Sequence, residues 1–207
     1  MVVRSQFDQE YEQLENRMLD LKMTALEEMK IFQKSLVKNK SSYMQDMKNL
    51  HAQAAGLCRE CLHQCRQIIL LQQPVACDMR RMHSISNAFS DLERITDMEM
   101  QAFELLIPFD NPKEKEGLQP SIDIAKTMLA NALNNFATEF CPVRSVIQMD
   151  DQADAEYERQ LSEKTEKLRT NPELAEVLVN VLMAAKYMER ICDHCVSIAR
   201  WSGYSLK

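Results

Sequence analysis

Two short segments of the chain carry the same pair of carboxylates at the same spacing. Residues 92–97 read Leu-Glu-Arg-Ile-Thr-Asp, and residues 188–193 read Met-Glu-Arg-Ile-Cys-Asp. In an α-helix, a Glu and an Asp four residues apart lie on one face, about one turn from each other. Like charges in adjacent turns cost roughly a few tenths of a kcal/mol unless a cation offsets them. A chain that carries this pattern twice is therefore expected to use it, and a bound cation is the simplest use.

The composition restricts the function classes. The net charge is −6, and no cluster of Lys and Arg with interleaved aromatics occurs, so we expect no nucleic acid partner. Three scattered glycines exclude a glycine-rich phosphate loop. No apolar run approaches the length of a membrane span, and the first residues turn polar at once, so we expect a cytoplasmic protein without a membrane-spanning segment. Seven cysteines, an odd number, fit mostly reduced thiols.

Apolar residues recur at spacings of three and four along most of the chain, which predicts an all-α protein. Prolines punctuate this pattern and divide it into six helices. The predicted helices lie at about 5–37, 42–72, 75–106, 121–140, 143–168 and 172–203. A polar, proline-bracketed linker near 108–119 separates them into two groups of three, which predicts one three-helix unit at 1–107 and another at 118–207. The Glu–Asp pairs fall at matching places in the third and sixth helices, 96 residues apart, as a tandem duplication would place them.

These segments resemble the PhoU family of bacterial regulators of phosphate transport. The segments that carry the resemblance are 7–14, 72–80, 91–97 and 187–199, in the correct order and spacing over nearly the whole chain. The resemblance implies two tandem three-helix bundles and a negative regulator of phosphate uptake and phosphate-starvation signalling that is not an enzyme. It also implies, as partners, the ATPase of the phosphate ABC transporter and a sensor histidine kinase, which would hold the protein at the inner membrane, and a homodimer.

The resemblance further implies metal sites, each built from two Glu/Asp-x-x-x-Asp motifs on neighbouring helices. In the second repeat Asp150 and Asp154, on the fifth helix, would face Glu189 and Asp193, on the sixth. Four carboxylates suit iron, manganese, magnesium or zinc, and they do not select strongly among these ions.

The first repeat departs from this pattern. Glu93 and Asp97 are present, but the matching positions on the second helix are His51 and Ala55. His51 is a possible nitrogen ligand, and two carboxylates are missing. We therefore expect the second-repeat site to bind metal better than the first.

A second surface is suggested at the start of the third helix. Asp78 and Arg80 follow Pro74 as in the family's Pro-x-x-x-Asp-x-Arg helix start. An Asp near a helix N-terminus interacts favourably with the helix dipole, so its simplest role is to stabilise the helix. Arg80 is a candidate contact for a protein partner, and we assign both residues to a possible partner-binding surface.

Three alternatives stay open at this point. The first is a metal-dependent helical enzyme, a hydrolase or a di-iron oxidase, although the chain has a single Glu-x-x-His, from Glu60 to His63. The second is a helical adaptor without metal, in which the acidic pairs lie on a solvated helix face. The third places a thiolate metal or redox site on cysteines that core packing explains better. These cysteines are Cys58, Cys61, Cys65, Cys192 and Cys195.

Overall fold

The computed structural model describes residues 2–38, 41–137 and 143–205, and within these ranges it contains no strand. Its helices are α1 (Val2–Val37), α2 (Ser41–Gln72), α3 (Cys77–Leu106), the short α4 (Pro112–Lys115), α5 (Gln119–Ala137), α6 (Val143–Thr170) and α7 (Ala175–Ser205). Two 3₁₀ turns, Glu116–Leu118 and Pro172–Leu174, precede α5 and α7. The all-α prediction is confirmed, and each predicted helix has a counterpart. Residues 138–140, predicted to end the fourth helix, lie outside the described residues.

Helices α1, α2 and α3 form the first bundle, because each of them packs against the other two. The apolar stripe of α1 faces this bundle, and all of its members are buried: Leu14, Met18, Leu21, Ala25, Met29, Phe32 and Leu36. Phe32 meets Phe103 of α3 edge to face, with ring centroids 6.5 Å apart. Burial of each large apolar side chain is worth about 1.5–3 kcal/mol, so packing of this stripe is what holds α1 in place.

The third helix begins at Cys77, two residues later than the predicted start at 75. The backbone before it is not helical, because Gln73 and Ala76 have φ values of 47° and 48°. A left-handed φ is uncommon for residues other than glycine, and it ends any helical path through Pro74. The connection between α2 and α3 is therefore a tight, strained turn.

The predicted polar linker at 108–119 is not an extended connection. It contains α4 and a 3₁₀ turn, and it lies against α6. Both carboxylate oxygens of Glu114 accept hydrogen bonds from Nζ of Lys167 at 2.6 Å. Gln160 donates from Nε2 to the carbonyl oxygen of Gly117. These partners stand about fifty residues away along the chain, and they explain why polar residues of the linker are buried.

Helices α5, α6 and α7 form the second bundle, and the two bundles meet along α3 and α7, which share the largest interface between any two helices. These are the two helices that carry the duplicated Glu–Asp pair. Their buried residues belong to one continuous apolar core that runs through both bundles. None of the described helices is long and apolar enough to cross a bilayer.

Asp91 makes two polar contacts from the first bundle to the second at this interface. Asp91 of α3 accepts a hydrogen bond from Nε1 of Trp201 at 3.1 Å, and its other carboxylate oxygen lies 2.8 Å from Nδ1 of His194. Both partners are on α7. The imidazole of His83 packs edge to face on Trp201, with ring centroids 5.4 Å apart. His194 and His83, which flank the acidic motifs in the sequence, therefore have structural contacts here.

Candidate metal centre

The predicted second-repeat ligands line one groove between α6 and α7. The two helices are joined by a tight turn and pack side by side. Asp150 and Asp154 are four residues apart on α6, and Asp193 and Glu189 are four residues apart on α7 in the reverse direction. Antiparallel packing of α6 and α7 places the two pairs on facing helices.

The other three carboxylates contribute to the electrostatic environment of Asp150. The pKa of Asp150 is raised to about 6, first by partial burial and then by the negative charges of Asp193, Asp154 and Glu189. The same four carboxylates add to burial in raising the pKa of the Cys192 thiol, which lies beneath them on α7. Like charges held this close favour either a proton or a bound cation.

A lysine already contacts this groove. Nζ of Lys186 lies 2.6 Å from Oε2 of Glu189, one turn along α7, and the Glu189 side chain is only 13% exposed. The ammonium also stands over the ring of Tyr157 on α6, 4.8 Å from the ring centroid. Although burial opposes it, the hydrogen bond and charge of Glu189 raise the pKa of Lys186 above its ordinary value. The sequence reasoning had missed both Lys186 and Tyr157.

The donor chemistry of the groove fits a hard cation, since its four acidic side chains offer only oxygen ligands. The side chains are not gathered for coordination, however. Across the described ranges, no three His, Cys, Asp or Glu side chains are grouped so that they could hold one ion together. Binding would therefore require the side chains to rotate, and the assignment of Asp150, Asp154, Glu189 and Asp193 as ligands stays a prediction.

The first repeat brings its predicted ligands near one another but offers fewer oxygens. Nε2 of His51 on α2 lies 3.8 Å from Oδ1 of Asp97 on α3. Nδ1 of His51 is buried and has no hydrogen-bond partner among the described residues. Glu93 lies one turn from Asp97. Ala55, at the position that matches Asp154, has no side-chain atom that could bind a metal ion. The site of Glu93, Asp97 and His51 likewise stays a prediction.

Two buried glutamates near this first site were not anticipated. Glu28 of α1 and Glu99 of α3 are both fully buried. Burial raises the pKa of each, and the pKa of Glu99 is raised further by the charge of Glu28. Spacing did carry a signal for them, since Glu28 lies three residues after Ala25, on the buried stripe of α1.

The proposed partner surface lies at the turn between α2 and α3. Asp78 and Arg80 are both half-buried at the start of α3. Oδ1 of Asp78 is 3.8 Å from Nη1 of Arg81, whose guanidinium also stacks on Tyr11, 3.9 Å from the ring centroid. Arg81 is therefore held by the first bundle. Whether Asp78 and Arg80 contact a partner stays a prediction.

The alternative built on cysteines does not fit the structure. The five cysteines of this alternative are free and buried, as the core-packing interpretation predicted: Cys58, Cys61, Cys65, Cys192 and Cys195. Burial raises the pKa of the Cys58 and Cys65 thiols to about 12, so these two thiols stay protonated near neutral pH and are poor metal ligands. The Glu60-x-x-His63 pattern of the di-iron alternative lies on the surface of α2, where Glu60 is 3.7 Å from Arg17.

The fold and the groove define a class of protein, namely an all-helical protein of two three-helix bundles with a carboxylate-lined groove between the last two helices. A family model described as "PhoU domain" matches residues 121–202. A Pseudomonas putida protein named "Phosphate-specific transport system accessory protein PhoU homolog" is 26% identical over 95% of this chain and 79% of its own length. A protein of the same name from Pseudomonas aeruginosa is 26% identical over 95% of this chain and 84% of its own length.

Solved structures agree with these relatives. The crystal structure of PhoU from Pseudomonas aeruginosa has a TM-score of 0.90 and 25% identity, covering 97% of this chain and 98% of that one. The structure of the phosphate transport system regulatory protein PhoU from Streptococcus pneumoniae has a TM-score of 0.80 at 22% identity, covering 97% of each chain, and it supports the fold alone. Residues 121–202 thus match the PhoU domain, and nearly the whole chain is similar to proteins named as PhoU homologs.

Proposed function

We propose that this protein is an accessory regulator of phosphate transport that acts by binding partners and not by catalysis. The observation that carries the proposal is the similarity, over 95% of the chain, to proteins named as accessory proteins of the phosphate-specific transport system. By the same resemblance, its effect on phosphate uptake and on phosphate-starvation signalling is negative. Its partners are the ATPase of the phosphate ABC transporter and a sensor histidine kinase, and it works in the cytoplasm as a homodimer.

The metal part of the proposal concerns the groove between α6 and α7. Asp150, Asp154, Glu189 and Asp193 would hold the ion, which is iron, manganese, magnesium or zinc. The ion supplies positive charge that offsets the repulsion among the four carboxylates. The support for this comes from the position of two carboxylates on each of two packed helices, and from the pKa of Asp150, which partial burial and then the charges of the other carboxylates raise. Because α6 and α7 each contribute two ligands, an ion in the groove ties these two helices together and stabilises the surface that they present.

The regulatory role is tested by deleting the gene and measuring phosphate uptake and a phosphate-starvation reporter in phosphate-replete cells. We expect uptake and reporter to rise and to return to normal when the wild-type gene is restored. The variant Arg80→Ala, at the turn between α2 and α3, should restore uptake and reporter less completely than the wild type if Arg80 contacts a partner. Unchanged uptake and reporter after deletion would contradict the regulatory proposal.

The metal role is tested by elemental analysis of protein purified without a His tag and dialysed after exposure to iron, manganese or zinc. We expect Asp150→Asn/Asp193→Asn to lose most of the metal that the wild type retains. The matched variant Glu93→Gln/Asp97→Asn, which removes the same charges from the first repeat, should lose less. Equal metal content in the wild type and the Asp150/Asp193 variant would remove the proposed site.

The enzyme alternative is tested on the same preparations. Metal-loaded protein is offered phosphoesters or O₂, and turnover is measured. We expect none. Turnover that disappears in Glu189→Ala would contradict the proposal that the protein acts by binding alone.

A further inference from the structure

Lys186 has two contacts that together fix its ammonium at the end of the carboxylate groove. Its Nζ is 2.6 Å from Oε2 of Glu189, and it stands 4.8 Å from the centroid of the Tyr157 ring. The ion pair stays within α7, and the ring contact reaches across to α6. The lysine therefore bridges the same two helices that the four carboxylates line, one turn further along.

The register of the two helices makes this position part of the groove. On α6, Tyr157 follows Asp154 by three residues, and on α7, Lys186 precedes Glu189 by three residues. Because the helices run antiparallel, Lys186 and Tyr157 face each other one turn beyond the facing positions of Asp154 and Glu189. The ammonium of Lys186 therefore lies one turn beyond the last pair of carboxylates, and it carries a positive charge.

The first repeat lacks this arrangement. At the duplication offset of 96 residues, the position of Lys186 is taken by Ser90. In α2, the match of His51 to Asp150 puts Cys58 at the position that Tyr157 has in α6. Thus the lysine accompanies the groove with four carboxylates and is missing from the groove with two carboxylates and a histidine. A fixed positive charge occurs where the density of negative charge is greatest.

We infer that Lys186 is a tethered cation that competes with the metal ion for the Glu189 carboxylate and thereby sets the metal affinity of the groove. This inference rests on the proposed metal site. In the ion-free protein, the ammonium offsets part of the charge of the four carboxylates and holds Glu189 toward the end of the groove. A metal ion that takes Glu189 as a ligand must displace the ammonium, whose side chain is 42% exposed and has room to swing into solvent.

The experiment is a titration of full-length, metal-free protein with Mn²⁺ by isothermal calorimetry at fixed ionic strength. Lys186→Gln removes the competing charge and should bind Mn²⁺ about tenfold more tightly than the wild type, a change of one decade in Kd. Lys186→Arg keeps the charge and should stay near the wild-type Kd. Lys30→Gln is the matched control, because Lys30 makes the same kind of ion pair, with Glu27 three residues away, on the distant surface of α1.

A second measurement separates competition from a general loss of structure. In the presence of a chelator, Lys186→Gln should melt at a lower temperature than the wild type, because its carboxylates then repel without a counter-charge. With saturating Mn²⁺, the two proteins should melt within a degree or two of each other. Lys30→Gln should show no such dependence on the ion.

The outcomes distinguish the inference from the site on which it rests. If Lys186→Gln and the wild type bind Mn²⁺ equally, while Asp150→Asn/Asp193→Asn does not bind it, the site stands and the role of Lys186 is wrong. If Lys186→Arg binds as tightly as Lys186→Gln, the charge is not the competitor, and the inference is again overturned. If the wild type and every variant fail to bind Mn²⁺, the proposed metal site falls and the inference falls with it.

Discussion

The carboxyl groups of Glu28 on α1 and Glu99 on α3 interact with each other inside the first bundle, where both side chains are fully buried. None of their four oxygens has a hydrogen-bond partner among the described residues, so ionising both groups would leave two unpaired charges in the core. Burial, the largest cause, raises the pKa of Glu28 to about 8, and it raises the pKa of Glu99 as well. At neutral pH the folded protein therefore keeps protons on buried carboxyl groups of its core.

The first prediction is that the free energy of unfolding falls as the pH rises from about 5 to 8. The pKa values of the folded protein lie above the ordinary Glu value of about 4.3, so the folded state holds protons that the unfolded chain has released. The stability linked to this pair is fully present below the unfolded pKa and is lost as the pH rises through the folded pKa. Urea unfolding at a series of pH values measures it.

Glu28→Gln should flatten this dependence, because an amide at this buried position stays neutral at every pH. Glu27→Gln is the matched control, since its side chain is exposed and paired with Lys30. It should leave the slope of stability against pH unchanged. The prediction fails if Glu28→Gln retains the wild-type slope.

The second prediction concerns the connection between the bundles. Glu114→Gln should lower the free energy of unfolding by about 1–3 kcal/mol, because it leaves Lys167 without its charged partner at a largely buried contact. The Glu114 side chain is 7% exposed, which limits screening by solvent. Urea unfolding at neutral pH measures the change.

The control for this variant is Glu166→Gln, which breaks an ion pair with Arg169 on the surface of α6. Both of those side chains are largely exposed, and exposed pairs contribute about 0–1 kcal/mol. A loss for Glu114→Gln no larger than the loss for Glu166→Gln would mean that the linker is not held by this contact.

The third prediction is that Gly56→Ala raises the free energy of unfolding by about 0.5–1 kcal/mol. Gly56 lies inside α2, its φ is not positive, and no atom stands within 4 Å of where a Cβ would be placed. Alanine therefore improves helix propensity without a clash. Thermal or urea unfolding measures the gain.

Gly203→Ala tests the same reasoning at a glycine where an added Cβ would meet a neighbouring side chain. A Cβ at residue 203 would lie 3.2 Å from Cγ2 of Val143, so part of the propensity gain is offset by crowding. We expect a smaller increase in the free energy of unfolding than at Gly56. An equal or larger increase would show that the Val143 side chain moves aside without cost.

The sequence was sufficient to predict the helices and which of them carry the duplicated acids, because both depend on spacing along one chain. The four carboxylates of the second groove were proposed as ligands because helical spacing and the family resemblance agree on them, and their role stays a prediction. Lys186 escaped notice since its importance depends on Tyr157, which belongs to another helix. The contact between Glu114 and Lys167 was missed for the same reason, and the charged linker was interpreted as merely polar. Glu28 illustrates a different limit, because its spacing places it on the buried stripe of α1 but does not predict the second buried acid, Glu99, that faces it from another helix.

The packing of α3 against α7 has a consequence for how this molecule can change over evolutionary time. The duplicated helices turn buried faces toward each other at the centre, and their acidic pairs toward α2 and α6 at the periphery. Substitutions at the peripheral positions alter ligand chemistry while the shared central packing is retained. The two halves are therefore free to diverge under separate selection, one keeping Asp150 and Asp154 and the other carrying His51 and Ala55. Central positions lack that freedom, because a change in one half must be accommodated by the other.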